Sequence, residues 1–558
     1  MTLSTLLCPS QNRDPSAFAG FCFAAVLLIS FPAVAQNLPV KQPAYIAAPH
    51  DAAQPGIRSD VVRFRKRVSA ALADSHAQNA YWGILVADRD TGATIYELNA
   101  DRFFAPASNA KLFTSALALA TLGPDYRFRT TLESQGVLGA DGRLVGDLTL
   151  VGRGDPDLSN RKFPLQGKVE RDGPAEKVLA ELADAAFAKG LKEVSGDVVA
   201  DDTYFPFDPY PAGWSVGDLF FSFGAPVSAI AFNDDTISIE VQPGERPGDP
   251  ASVSVEPVAG LENLNYELTT SPPDEKPALA VVRQPGPDFI LLRGSIPQGH
   301  SPIKLDLAMT EPAETAARAL KQLLEARGVR INGGIRVQHA PPPESVEELD
   351  PPPPAAAPQP VAPSNSIVLA EHTSQPLLEA VRVMNKVSHN LHAELLLRTV
   401  AREKTGTGST DAGITVEQDF LKSVGIAEGD VVLSDGSGLS RGDLVTPRAV
   451  VKLLQYASSQ PWGVDYISTL AIAGVDGTLE TRMMRTAASG MIQAKTGAIE
   501  NVRSMSGYAT TLRGERLVFA IFGNNNPQHG RDATEAIDAI GVAMVETLGL
   551  PKAQKRKK

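Results

Sequence analysis

A chain of 558 residues, 43% hydrophobic, 21% charged and 6% aromatic, is globular in composition and too long for one ordinary core, so two or three domains are expected. Its formal net charge of −12 excludes a general nucleic-acid binder, which needs a basic face for phosphates. Both cysteines, Cys8 and Cys22, lie near the N-terminus, so the rest of the chain offers neither a disulfide nor thiolate chemistry.

In chain order, Ala17 to Phe31 is an apolar run too short for a comfortable membrane span, and Ala33-Val34-Ala35 follows it as a small-x-small cleavage pattern. Residues 1–35 are therefore read as an export signal, with an uncleaved anchor as the other reading. A soluble protein beyond the cytoplasmic membrane, in the periplasm or cell envelope, is expected. Asp60 to Ala80 carries apolar residues every three or four positions and reads as a helix. Two apolar runs around Asp90-Thr91-Gly92 make a hairpin. Pro106 opens a helix that Gly123 and Pro124 stop. From about residue 130 to 340 short β-rich runs alternate with Gly/Pro/Asp turns, interrupted by helices near Ala175 to Lys189 and Pro312 to Ala326. Pro341 to Pro363 is low-complexity and reads as a polyproline-like spacer. Dense helical patterning then returns. One long helical region is expected over Pro376 to Ala401 and another helix over Pro447 to Ser459. Three strands should follow between Met491 and Gly523, with a last helix over Arg531 to Leu548. The front and back of the chain share an α/β texture that the middle lacks. The expected organisation is a catalytic domain in two parts, 36–130 and 364–550, around an inserted, mainly β region, 131–340. The Pro-rich loop, 341–363, and a basic tail, 551–558, complete it. That tail, with Lys552, Lys555, Arg556, Lys557 and Lys558, is read as a solvated end, with weak contact to an anionic membrane surface as the alternative.

Three short motifs carry the chemistry: Ser108-Asn-Ala-Lys111, Ser388-His-Asn390 and Lys495-Thr-Gly497. Ser108 and Lys111, three apart on a helix, share one face, which sets an amine beside a hydroxyl that is inert without a base. The amine serves as that base only if its pKa falls, through desolvation or a second cation, and Lys495 is the expected second cation. Ser388 would pass a proton to the leaving amine, and the Asn390 amide would hold the substrate backbone. Lys495 and Thr496 would bind a terminal carboxylate, and Gly497 would let a strand approach the substrate without a Cβ in the way. The oxyanion hole is expected from the backbone N–H groups of Ser108 and Ala498. Each motif alone is weak evidence. Their order and setting are what make the set informative. The histidines show no metal-binding spacing of the H-E-x-x-H kind.

This triplet resembles the signature of penicillin-binding proteins and β-lactamases. The likeness extends further, to the peptidase S13 family, the class C low-molecular-mass penicillin-binding proteins with D-alanyl-D-alanine carboxypeptidase and endopeptidase activity. It is carried by Pro106-Ala-Ser-Asn-Ala-Lys-Leu112, Gly146-Asp-Leu-Thr-Leu-Val-Gly-Arg-Gly-Asp-Pro-Asp-Leu158 and Met384-Asn-Lys-Val-Ser-His-Asn-Leu-His-Ala-Glu394. Asp435-Gly-Ser-Gly-Leu-Ser-Arg441, Gly474-Val-Asp-Gly-Thr-Leu479 and Lys495 through Tyr508 carry it too. The resemblance implies a transpeptidase-like fold, α+β with an antiparallel sheet between helices, interrupted by inserted domains, and no metal or organic cofactor. It implies peptidoglycan stem peptides and cross-links as substrates, and β-lactams as covalent inhibitors that acylate Ser108 and leave slowly. Two positions depart from the family pattern: Ala498 stands where Thr is frequent, and His389 where Asp is common. His389 is expected to turn away from the Ser/Asn face in a structural role. For Arg441 two readings stand, contact with an acidic group of the stem peptide or a plain ion pair. The rival functions are a β-lactamase-like hydrolase and a non-catalytic peptidoglycan-binding scaffold.

Overall fold

Strands that alternate apolar side chains to both faces must be covered on both faces, and the terminal parts of this chain contain three such strands. The computed structural model describes residues 58–73, 77–260, 264–283, 290–342, 366–526 and 531–549. The anticipated export signal, nearly all of the Pro-rich loop and the basic tail lie outside these residues. Among the described residues the α-helices are, in order, α1 (Ser59–Leu72), α2 (Lys111–Leu122), α3 (Lys177–Ala188), α4 (Pro312–Ala326), α5 (Leu377–Lys386), α6 (Asn390–Thr405), α7 (Thr410–Ser423), α8 (Pro447–Ser459), α9 (Gly463–Thr469) and α10 (Arg531–Thr547).

A six-stranded antiparallel sheet joins the two ends of the chain. Its order is Thr94–Leu98, Tyr81–Asp88, Arg516–Asn524, Val502–Thr510, Ile492–Ile499 and Ala471–Ile472. Ile84, Val86, Leu517, Phe519 and Ile521 face Phe64 and Val68 of α1 and Ile537, Ile540 and Met544 of α10. The intervening Leu85, Ala87, Val518, Ala520 and Phe522 face the opposite way, into a core built with α2, α5, α6, α8 and Tyr466 of α9. Every residue of α2 from Lys111 to Leu119 is buried, as a helix apolar on all sides must be.

The chain leaves this unit along Arg129–Ser134 and returns along Ile367–Thr373, and those two strands pair antiparallel. Between them lies the insert. Its largest sheet has five strands, in the order Ile335–Ala340, Val198–Pro206, Leu148–Val151, Arg129–Ser134, Ile367–Thr373. A small four-stranded sheet and two three-stranded sheets accompany it. Leu132, Leu150 and Val198 of the large sheet, Leu182 of α3, Leu320 of α4, and Ile239, Leu292 and Ile296 of the smaller sheets share one continuous core.

Three sequence expectations change. The first helix ends at Leu72 rather than Ala80. The helical region over Pro376 to Ala401 is two helices, because the chain breaks at Val387 to His389 between α5 and α6. The Lys495-Thr-Gly497 motif, expected to end its apolar strand, lies inside it, because the strand runs on to Ile499. Apolar periodicity continues across the helix break, which is why the pattern alone did not reveal it.

Because α2 is packed on every side, truncation there should leave a cavity. Leu117→Ala is expected to destabilise the catalytic core by about 2–5 kcal/mol, and Leu117→Met by less than about 1.5 kcal/mol. Thermal melting of the two variants, compared at the transition of the catalytic core, checks the ordering.

Candidate active site

Pro106 precedes a single 3₁₀ turn, Ala107–Ala110, which runs directly into α2. In a 3₁₀ turn residues i and i+3 eclipse, so Lys111 lies beneath Ser108. The turn is fixed from the sheet side. The Asn109 Nδ2 donates to Ser504 Oγ at 2.7 Å and to the Lys495 carbonyl at 3.3 Å, and Ser504 Oγ donates to the Pro106 carbonyl at 2.7 Å. Ala107 has a left-handed φ of +48°, rare for a residue with a side chain. Two glycines permit the close approach around it. A Cβ on Gly497 would lie 2.6 Å from the Pro106 carbonyl, and one on Gly438 would lie 1.9 Å from that of Ala107.

Lys111 is fully buried, and its Nζ donates to Ser108 Oγ at 2.9 Å, Asn390 Oδ1 at 2.7 Å and the Ser437 carbonyl at 2.6 Å. The last two oxygens can only accept. A neutral amine keeps both of those bonds with its two hydrogens, leaving the lone pair for the Ser108 hydroxyl. Burial lowers the Lys111 pKa to about 8, opposed by the nearby carboxyl groups of Asp435, Glu394 and Asp443. Of the two expected causes, desolvation and the second cation Lys495, burial is the one that acts on Lys111, and the repulsion between the two lysines falls on Lys495, which burial and Lys111 push well below its ordinary value.

The second motif sits at the α5–α6 break. Ser388 adopts a left-handed φ of +63°, a conformation that costs a non-glycine residue about 1–3 kcal/mol. Its Oγ accepts from Lys495 Nζ at 2.8 Å. Asn390 opens α6. Its Oδ1 holds Lys111, and its Nδ2 donates to the Phe223 carbonyl of the insert at 2.7 Å. His389 is the N-cap of α6 and contacts His392 and Asp234, in keeping with a structural part.

Lys495 is also fully buried and donates to the Thr496 carbonyl at 2.8 Å. Thr496 Oγ1 donates to Thr478 Oγ1 at 2.7 Å. Thr478 sits on a loop anchored by Lys386, whose Nζ reaches Asp476 Oδ2 at 2.5 Å and the Leu470 carbonyl at 3.0 Å. Ala498 is exposed on the same strand. Arg441 is about one-third exposed, with loose contacts to Asp218 at 3.8 Å and Glu500 at 4.0 Å. Ser108, Lys111 and Asn390 thus form one hydrogen-bonded chain between the start of α2 and α6, Ser388, Lys495 and Thr496 form a second between the α5–α6 break and the sheet, and the Asn109 amide ties the turn carrying Ser108 to the Lys495 carbonyl.

The Asp435 loop lies at the site, and its part there and those of Glu394 and Phe223 go beyond what the motifs alone indicate. Asp435 accepts from the backbone N–H groups of Gly438, Leu439 and Ser440 and from Trp214 Nε1, and so shapes the loop that presents the Ser437 carbonyl. Glu394, four residues after Asn390 on the same helix face, accepts from Gly436 N at 3.1 Å. Burial and Asp435 raise its pKa to about 8. The Asp-Gly-Ser-Gly run and the i, i+4 spacing were visible signals for these two. Phe223, from the insert, had none.

Asp234, His389 and His392 bring their ligand atoms within 4.8 Å of one another, as a metal site would. Their hydrogen bonding speaks for a different arrangement. His389 Nδ1 accepts from His392 N, which puts the ring proton on Nε2, facing Asp234. The other Asp234 oxygen carries Arg161 at 2.7 Å and Arg171 at 3.0 Å. Two guanidinium groups beside the carboxylate leave a cation poorly placed there.

The model of the D-Ala-D-Ala carboxypeptidase 3 (S13) family matches residues 64–349 and 356–544. This chain belongs to that family. It is an S13 peptidase, a hydrolase of the D-Ala-D-Ala carboxypeptidase class. It is 34% identical over 500 residues to a D-alanyl-D-alanine carboxypeptidase of Actinomadura sp. (strain R39), covering 88% of this chain and 86% of the relative. It is 27% identical over 447 residues to the D-alanyl-D-alanine carboxypeptidase DacB of Haemophilus influenzae, covering 79% and 85%. The crystal structure of penicillin-binding protein 4 (dacB) from Haemophilus influenzae shares the fold of this family member, with a TM-score of 0.71 at 24% identity, over 86% of this chain and 99% of that one.

Two outcomes follow for this S13 chain. With Lys111 as the expected base, the second-order rate of penicillin labelling should climb about tenfold per pH unit below pH 8 and level off above, read by stopped flow. Gly497→Ala should slow the same labelling more than about tenfold and lower the melting temperature as well, since its Cβ would press on Ser504 Oγ and on the Pro106 carbonyl of the turn that carries Ser108.

Proposed function

We propose that Ser108 is the nucleophile of a D-alanyl-D-alanine carboxypeptidase and endopeptidase that acts on peptidoglycan stem peptides and cross-links. The observation that supports it best is the Lys111 arrangement: its amine is 2.9 Å from Ser108 Oγ, with its other two hydrogen bonds made to oxygens that can only accept.

Lys111 takes the Ser108 proton as Oγ attacks the penultimate D-alanyl carbonyl. The backbone N–H groups of Ser108 and Ala498 receive the developing oxyanion. The proton passes by way of Ser388 to the departing nitrogen, which leaves as D-alanine from a pentapeptide tail or as a neighbouring stem from a cross-link. Water then attacks the ester, giving its proton back through Lys111, and Ser108 is restored. Lys495 and Thr496 bind the terminal carboxylate, and an anion there would restore the charge that burial disfavours on Lys495. The Asn390 amide faces the substrate backbone once it exchanges the Phe223 carbonyl for the peptide. Arg441, with loose partners, meets an acidic group of the stem. A β-lactam enters by the same attack and acylates Ser108. The catalytic domain is built from the two ends of the chain around the insert, whose sheet takes in Arg129–Ser134 and Ile367–Thr373, and the protein works outside the cytoplasmic membrane. No helix among the described residues is long and apolar enough to cross a membrane.

Purified protein and Ser108→Ala are compared on peptidoglycan fragments bearing both pentapeptide tails and cross-links, read by mass spectrometry. Wild type should release D-alanine and split cross-links, and Ser108→Ala should be slower by about 10³-fold or more. Equal turnover by the two proteins would remove Ser108 from the mechanism, and the ratio of products divides carboxypeptidase from endopeptidase action.

A further inference from the structure

The insert meets the catalytic machinery at the Asp435 loop, through Trp214 and Gly213, and at the start of α6. Phe205, Val227, Ala229 and Ala231 of the insert pack around Leu391 and Leu395. The Phe223 carbonyl accepts from Asn390 Nδ2. The third contact at α6 is polar and buried. Asp234 lies in a run of three consecutive left-handed residues, Asn233, Asp234 and Asp235, with φ of +51°, +58° and +52°. That run is held by Asn233 N donating to the Leu158 carbonyl at 2.9 Å and by Asn233 Nδ2 donating to the Thr236 carbonyl at 2.8 Å. Arg161 and Arg171 fix one oxygen of the Asp234 carboxylate. The other oxygen faces the Nε2 atoms of His392 at 3.3 Å and His389 at 3.6 Å. His389 is the residue next to Ser388. Its own N–H donates to the Met384 carbonyl at 3.2 Å, spanning the break.

We propose that Asp234 is a positioning residue for catalysis: it holds the His389 ring, and through it the left-handed backbone of Ser388, so that the Ser388 hydroxyl stays against Lys495. The proposal rests on the reading of Ser108 as nucleophile and Ser388 as proton relay. Without the clamp, Ser388 relaxes toward ordinary φ and its hydroxyl swings from Lys495, while Ser108 and Lys111, held by the sheet and the Ser437 carbonyl, keep their geometry. The insert is then a working part of the catalytic corner. The middle position of the Ser-x-Asn motif is where it takes hold, which gives His389 a reason to differ from the common Asp: an imidazole N–H can face a carboxylate that a second carboxylate would repel.

The test is a double-mutant cycle on the full-length protein, with fluorescent penicillin acylation and D-alanine release as readouts. Asp234→Ala should lower the acylation rate and kcat at least tenfold, with KM within twofold and the pH inflection of Lys111 unmoved. In a Ser388→Ala background the same change should cost less than twofold. Asp234→Asn, which keeps an acceptor oxygen, should recover most of the rate. Equal losses in both backgrounds, or no loss in either, would overturn the proposal. Should Asp234→Ala not fold, His389→Ala in the same cycle decides it by the same criteria. An active Ser108→Ala would instead defeat the reading beneath the proposal, and that control is read separately.

Discussion

Placing a lysine where water cannot reach it is the constraint around which this protein is arranged. An ammonium group out of water is costly unless its hydrogens are taken up, and here Ser108, Asn390 and Ser437 each take one. Those three acceptors come from three separate parts of the chain, so the lysine ties together the turn before α2, the start of α6 and the loop after α7. Carboxyl groups at Asp435, Glu394 and Asp443 offset part of the burial, and the balance leaves the amine able to change protonation near neutral pH. A drier site would hold it permanently neutral, and a wetter one permanently charged.

The second lysine meets the opposite circumstances. Lys495 has one hydroxyl and one carbonyl as partners and a like charge nearby, and no carboxylate balances its burial. In the proposed mechanism the two lysines divide the work by environment rather than by residue type: the one among acceptors exchanges a proton, and the one without a balancing carboxylate receives the substrate's anion.

Much of this was legible in the sequence, and the reasons are specific. The three motifs, the buried α2, the hairpin, α4 and α8 follow from apolar periodicity and from Pro and Gly at their ends. The family likeness supplied the fold around them. The break between α5 and α6 was not legible. Its signal is the backbone angle at Ser388, imposed by long-range contacts, and serine carries no local preference for it. Asp435 and Glu394 could have been suspected from position, but their effect on Lys111 depends on burial that one sequence does not display. Phe223 and Asp234 lie more than 150 residues before the motif they touch, as Ser388 and Asn390 follow them far down the chain, and no short-range pattern links them.

The pairing of Tyr81–Asp88 with Arg516–Asn524 has a consequence for the order in which the molecule is assembled. The strand Tyr81–Asp88 waits for a partner made long after it, and the whole insert must be made in between. Contacts of such long range form late and slowly. The insert, with its own core and its two ends hydrogen-bonded side by side, can fold while the first strands are still unpartnered. The Lys495 strand sits two places further along the same sheet, so Ser108 and Lys495 meet only in the closing step. The site is thus complete only once Arg516–Asn524 has paired, and a product cut before that strand carries a Ser-x-x-Lys turn without the partners around it.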